Sequence, residues 1–202
     1  MFTGLIREKA NVLSFINNTL LLKASYSPKI GDSMAVNGVC LTVIDVGDGE
    51  FSVELSPETK AMVAIENYKN EVHIEPAMKI SDRLEGHIVQ GHVDTIGKVI
   101  KIEKTESSYD FFIKIDREFM KFVVPKGSIT IDGVSLTVND VFIDSFRLTI
   151  IPHTVENTLF KNYKIGTKVN VETDMFARYL YHIFKDKKDM SWDDIDKIMA
   201  RY

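Results

Sequence analysis

Along most of this chain apolar and polar residues alternate singly, in short runs, which is the period of a strand and not of a helix. Thr19–Lys23, Ser33–Val36, Cys40–Val46 and Phe51–Leu55 are runs of this kind, rich in β-branched and aromatic residues. Glycine-bearing turns such as Val46-Gly47-Asp48-Gly49 and Ile131-Asp132-Gly133 punctuate them. Glu58–Tyr68 and His153–Tyr163 lose the alternation and read as brief helical or irregular connections. Short strands this closely spaced predict a small closed barrel rather than an open sheet.

The pattern then repeats. Val36-Asn37-Gly38-Val39-Cys40-Leu41-Thr42-Val43-Ile44-Asp45-Val46 matches Ile131-Asp132-Gly133-Val134-Ser135-Leu136-Thr137-Val138-Asn139-Asp140-Val141 at seven of eleven positions. The same spacing pairs Phe51 with Phe146, Pro57 and Thr59 with Pro152 and Thr154, and Asn67-Tyr68-Lys69 with Asn162-Tyr163-Lys164. After a slip of two residues, Val72-His73-Ile74-Glu75 pairs with Val169-Asn170-Val171-Glu172; upstream, Gly4-Leu5-Ile6 sets against Gly91-His92-Val93. A repeat of this extent fixes the architecture as two similar halves.

The end of the chain follows a different period. After Thr173-Asp174, an N-cap, residues Phe176, Tyr179, Leu180, Ile183 and Phe184 recur at helical spacing. A charged break, Lys185–Asp189, follows, and Ser191-Trp192-Asp193-Asp194 resembles a capping box opening a last series with Ile195, Ile198 and Met199. The helix has no copy in the first half, so it either packs on its own barrel or forms a seam between chains. The expected organisation is a first barrel over residues 1–86, a second over 87–174 and an oligomerisation helix over 175–202.

Composition narrows the function classes. Of 202 residues 45% are apolar and 27% charged, and the formal charge is -4. That balance is globular, and it lacks the basic field that nucleic acid or anionic lipid would require. An oligonucleotide-binding barrel, which needs a basic groove with aromatic platforms, is disfavoured on the same ground. The first residues carry no basic, apolar and small-residue leader, and no run is long and apolar enough to cross a bilayer, so a cytoplasmic location is expected. The single cysteine, Cys40, excludes an intrachain disulfide and a cysteine-based zinc site. His87 and His92 lack a ligand companion at metal-binding spacing and read as proton-transfer or hydrogen-bonding residues.

In both copies the strand after the glycine sets small hydroxyl or thiol groups on one face, Cys40 and Thr42 or Ser135 and Thr137, because their spacing is two. Such a pair suits the edge of a planar heterocycle. Ser56-Pro57-Glu58-Thr59 and Ile151-Pro152-His153-Thr154 end a strand in a rigid Pro turn with exposed backbone groups. The copies differ where chemistry is at stake: Leu5 against His92, Cys40 against Ser135, Glu58 against His153. A shared scaffold with unequal acid–base groups suits two identical molecules in different roles.

With its opening Met1-Phe2-Thr3-Gly4-Leu5-Ile6, two Gly-Val-(Cys/Ser)-Leu-Thr-Val elements, the Gly86-His87 to Gly91-His92 segment and two Pro-x-Thr turns, the chain resembles the riboflavin synthase family over its whole length. The resemblance implies an all-β fold of two tandem six-stranded Greek-key barrels plus a C-terminal α-helix, through which three chains form a homotrimer. It implies dismutation of two 6,7-dimethyl-8-ribityllumazine molecules without metal or organic cofactor, in a site between the N-terminal barrel of one chain and the C-terminal barrel of its neighbour. It also names lumazine synthase as a candidate partner. Carried over by residue, Gly4, Leu5, Ile6, Cys40, Leu41, Thr42, Glu54, Leu55, Ser56, Pro57, Glu58 and Thr59 are expected to line the N-barrel pocket. Gly91, His92, Val93, Lys126, Ser135, Leu136, Thr137, Ile150, Ile151, Pro152, His153, Thr154 and Val155 are expected to line the other. His92 is the expected proton shuttle, Cys40 or Ser33 the helper to nucleophile addition, with His87 and Asp174 as further candidates. Lys60-Ala61-Met62 departs from the family, which has Leu and a basic residue after the first Pro-x-Thr. The rival reading is a non-catalytic lumazine or flavin binder on the same fold, whose relatives lack these histidines.

Overall fold

The computed structural model describes residues 1–185. Six strands, β1 (Glu8–Ile16), β2 (Thr19–Lys23), β3 (Ser33–Val36), β4 (Val39–Val46), β5 (Glu50–Glu54) and β6 (Glu71–Pro76), close into a barrel in the order β1-β2-β5-β4-β3-β6. Strands β7 (Thr95–Lys104), β8 (Tyr109–Lys114), β9 (Ser128–Ile131), β10 (Val134–Val141), β11 (Ser145–Ile150) and β12 (Lys168–Thr173) close a second barrel with the same connectivity. Every ladder is antiparallel. The expected double Greek-key barrel is therefore what the chain forms.

Alternation decides which face is buried. Leu20, Leu22, Met34, Val36, Leu41, Val43, Phe51 and Val53 fill the first barrel, and Phe111, Ile113, Ile129, Ile131, Val138, Phe146 and Leu148 fill the second. Their neighbours along each strand, Ser33 and Cys40 among them, stand on the outer face. Buried side chains fill both barrel interiors, which leaves the outer faces as the candidate binding surface.

The two connections expected to be helical or irregular each hold a short helix and a 3-10 turn: α1 (Pro57–Met62) then Ile65–Asn67, and α2 (Pro152–Asn157) then Leu159–Asn162. Pro57 and Pro152 open these helices, where the absent N–H costs nothing. Ser56 caps α1 by accepting from Thr59 N at 3.0 Å. α3 (Met175–Phe184) is capped by Asp174, which accepts from Phe176 N at 2.7 Å. Tyr181 of α3 packs edge-on against Phe122 at 5.4 Å, while Phe176, Tyr179, Leu180 and Ile183 point away from the barrel and stay about half exposed. The apolar stripe is thus not the face that docks on the chain's own barrel. The reading of Ser191 to Met199 falls outside the described residues.

The barrels meet across an approximate twofold built from the repeated turns. Asn37-Gly38 and Asp132-Gly133 both have left-handed φ at each residue (46° and 80°, 44° and 84°), the signature of tight two-residue hairpin turns. The two turns stand back to back: a Cβ on Gly38 would lie 2.7 Å from Gly133 N. Buried side chains cross-brace the junction. His73 Nε2 accepts from Leu159 N at 2.7 Å, and its matched residue Asn170 accepts from Ala64 N at 2.7 Å. Because the backbone N–H must donate, Nε2 is bare and Nδ1 carries the proton toward Asp132 O at 2.8 Å. Burial drives the His73 pKa down to about 4, so the residue is a neutral strut.

Candidate functional site

Two straps without regular structure cross the junction, residues 1–6 and 86–93. They pair with each other, Phe2 N donating to Val89 O at 2.8 Å and Val89 N to Phe2 O at 3.1 Å. Each then runs over the barrel that does not contain its anchor. Gly4 O accepts from Ser135 N at 2.8 Å, and Gly91 O accepts from Cys40 N at 2.8 Å. Both glycines have φ near +78° and lie so close that a Cβ would fall 2.5 Å from Ser135 Cβ and 2.7 Å from Cys40 Cβ. No other residue fits such an approach.

This overturns part of the expected grouping. Gly4, Leu5 and Ile6 belong with Ser135 on the second barrel, where Ile6 packs on the core; Gly91, His92 and Val93 belong with Cys40 on the first, where Val93 packs. Alignment of the two copies leaves this open, since a strap looks the same in sequence whichever barrel it covers.

On the first barrel, Cys40 and Thr42 share the outer face with Ser33, which is paired across the ladder with Thr42. Two adjoining depressions of about 440 and 210 Å³ meet at Cys40 and Thr59. The first is walled by Thr42, Glu54, Ser56 and Pro57, the second by Glu58, Met62, Gly91, His92 and Val93. Leu41 borders the first depression while packing into the barrel core, and Leu55 lies in that core. At the departures from the family pattern, Lys60 Nζ sits 4.8 Å from the Phe15 ring, and Met62 lines the second depression together with His92.

On the second barrel a histidine closes the corresponding place. His87 Nδ1 lies 2.7 Å from Ser135 Oγ, and Nε2 lies 3.3 Å from Thr130 Oγ1 on the paired strand. Burial lowers the His87 pKa, opposed by the Asp174 carboxylate, which favours the charged ring. A neutral His87 is able to accept the Ser135 proton. Thr137 is exposed beside Ser135; Leu136, Ile150 and Val155 belong to the core; Ile151, Pro152, His153 and Thr154 form the exposed or half-exposed start of α2. Lys126 is exposed with φ 64°, where the first copy has Gly31 with φ 90°.

Two carboxylates hold the straps, and sequence reading missed both. Glu75, 3% exposed, accepts from Thr3 N at 2.8 Å and Gly4 N at 3.0 Å; its copy Glu172 accepts from Gln90 N at 2.7 Å, Gly91 N at 2.9 Å and His92 N at 3.1 Å. Their signal was present: a carboxylate at a buried position in each final strand demands donors. Among the described residues no group of three His, Cys, Asp or Glu side chains could hold a metal ion, and no helix is long and apolar enough to cross a membrane.

Two barrels with matched strap-covered outer faces define a tandem small-molecule-binding protein, and the lumazine binding domain profile matches residues 3–77 and 90–174. The chain is 40% identical over 190 residues to riboflavin synthase of Photobacterium phosphoreum, covering 89% of this chain and 87% of that protein. It is 38% identical over 190 residues to riboflavin synthase of Bacillus subtilis, covering 90% and 88%. Among solved structures, LumP complexed with riboflavin superposes with a TM-score of 0.75 at 20% identity, covering 86% of this chain and all of that one, a likeness of fold. The chain belongs to the riboflavin synthase family, a family of enzymes.

Proposed function

We propose that the chain is a riboflavin synthase that dismutates 6,7-dimethyl-8-ribityllumazine. One lumazine gives a four-carbon unit to a second, leaving 5-amino-6-ribitylamino-uracil and completing the third ring of riboflavin. One donor and one acceptor molecule balance the two products in atoms, so no oxidant or reductant enters. The electron-poor pteridine stabilises an anion at its own 7-methyl group, a task otherwise given to an organic cofactor. Pressing two rings together in one orientation supplies up to about 7–11 kcal/mol through effective molarity.

The observation that carries this reading is the pair of matched outer-face sites with unequal chemistry, Cys40 under His92 and Ser135 under His87. His92 is the proposed proton shuttle at the first, with Cys40 or Ser33 assisting nucleophile addition. The His87–Ser135 pair, biased by Asp174, is the proposed proton relay at the second. The half-exposed stripe on α3 supports a homotrimer in which the first barrel of one chain faces the second barrel of the next. The location proposed is the cytoplasm.

Purified protein supplied only with 6,7-dimethyl-8-ribityllumazine and a chelator is expected to release riboflavin, followed by its fluorescence. Tight binding without product would instead assign the chain to the non-catalytic binders of this fold.

A further inference from the structure

The strap over Cys40 is tied down from behind in a way its counterpart is not. Glu172 of β12, 3% exposed, takes the three successive N–H groups of Gln90, Gly91 and His92. Arg178, one turn into α3, then brackets the same stretch: it donates to Gln90 Oε1 at 2.7 Å and to Asp94 Oδ1, with Nη2 4.0 Å from Glu172 Oε1. Asp94 is itself fixed by Thr173 N and Oγ1, each at 2.7 Å. His92 therefore sits between two positions, 90 and 94, that are both pinned to the second barrel and to α3, while it stands over the first barrel.

We propose that Glu172 and Arg178 are positioning residues that hold His92 over Cys40, and that Arg178 makes this strap depend on the seating of α3. The role of His92 in turnover rests on the function proposed above; the strap geometry does not. A carboxylate accepts three N–H groups best while ionised, because protonation turns one oxygen into a donor. Burial, with a smaller push from Asp94, raises Glu172 to about 7 against the pull of the strap N–H groups and Arg178. Removing the guanidinium leaves two carboxylates beside each other, favours protonation of Glu172, and so removes acceptor capacity from the strap. The strap over Ser135 has the matching carboxylate, Glu75, but no guanidinium from α3, because that helix has no copy in the first half.

The chain carries its own reporter, since Cys40 is its single cysteine and Gly91 lies against it. In full-length Arg178→Met and Glu172→Gln, with light-scattering mass and circular dichroism matching the parent, alkylation of Cys40 by iodoacetamide without ligand should run about tenfold faster. Turnover of the lumazine should fall about 10–100-fold in kcat, the cost of a misplaced catalytic group, with KM changed less. Arg178→Lys should be intermediate in both, and Glu75→Gln should leave Cys40 labelling unchanged. Labelling within twofold of the parent in both Arg178→Met and Glu172→Gln overturns the proposal, as does equal acceleration in Glu75→Gln. Should Arg178→Met not fold, parental labelling and kcat in Arg178→Lys overturn it. A parent that fails to turn over lumazine sinks the proposed function and leaves the labelling comparison to judge the strap.

Discussion

Asp132→Asn probes the inter-barrel junction at a fully buried carboxylate. The side chain is 1% exposed, with Oδ1 accepting from Asn170 N at 2.7 Å and Oδ2 from Tyr163 Oη at 2.5 Å. Burial raises its pKa from 3.8 to about 7 against the pull of those two donors. At about 1.4 kcal/mol per pH unit, keeping the carboxylate ionised inside the fold costs ~4 kcal/mol. Folding takes up a proton here, so this share of stability is present below pH 3.8 and is lost as pH rises through 7. Asparagine has nothing to ionise, and it fits: Asn37 occupies the matching turn with φ 46° against 44°. Its amide would keep the bond from Asn170 N and donate to Tyr163 Oη, avoiding the unpartnered state of Asn37 Nδ2. The variant should equal the parent near pH 4 and exceed it by up to ~4 kcal/mol at pH 8. Urea denaturation at pH 4.5, 6 and 8, at one protein concentration because assembly shifts the midpoint, measures the difference. His73 slopes the opposite way, its stability present above pH 6.5 and lost as pH falls through about 4, but it is common to both proteins and cancels. A difference that does not change with pH would refute the assignment of a buried, reluctant carboxylate.

Gly91→Ala should cost about 1–2 kcal/mol from its φ of 79° alone, and the 2.7 Å clash with Cys40 should push the strap off and abolish most turnover, read as kcat beside a melting curve. His92→Gln should lower kcat by about 10²-fold or more if the ring shuttles a proton, and flatten the limb of the pH–rate profile that the imidazole controls; an unchanged profile removes His92 from that role. Leu180→Asp with Ile183→Asp, both on the outward stripe of α3, should convert the assembly to single chains by light scattering while leaving the barrels' circular dichroism intact; an unchanged mass shows that the stripe is not the seam.

Much of the fold was legible because the repeat and the alternation agree. Cys40 to Val46 and Ser33 to Val36 appear as strands within a residue of their expected ends, and the Asp132-Gly133 turn is where its sequence places it. β1 and β7 were not legible. Each has an irregularity in register, between Val12 and Ser14 in one and between Val99 and Lys101 in the other, where an extra residue throws the period-two alternation out of phase. β4 has one too, between Val43 and Asp45, but its sequence is repeated almost residue for residue in β10, while β1 and β7 share little sequence that would have marked them as copies. Of the candidate site, the sequence named residues that the structure brings together, but not how they divide between the barrels. Cys40, Ser135, His87 and His92 all lie where chemistry is possible, yet which histidine serves which barrel depends on straps that cross in space.

That crossing gives a duplicated scaffold its asymmetry. Apart from the straps, the outer faces differ in Cys40 against Ser135, two groups of similar size, and in Glu58 against His153 at the start of the two short helices. The eight residues from Gly86 to Val93 supply a histidine to each face, His87 reaching Ser135 on the second barrel and His92 standing by Cys40 on the first. The other strap, residues 1–6, carries no histidine, so one linker gives the two faces their histidines in unequal settings, one bonded to Ser135 and one lining the depression beside Cys40. If two copies of one substrate are to become donor and acceptor, something must break their equivalence. A segment whose two histidines have no copy in the other strap, and which touches both barrels, is placed to do so. Exchanging the histidines' surroundings by His87→Asn should therefore impair the second face while sparing riboflavin binding at the first. Loss of both together in a two-site titration would mean that the linker acts only as a structural hinge.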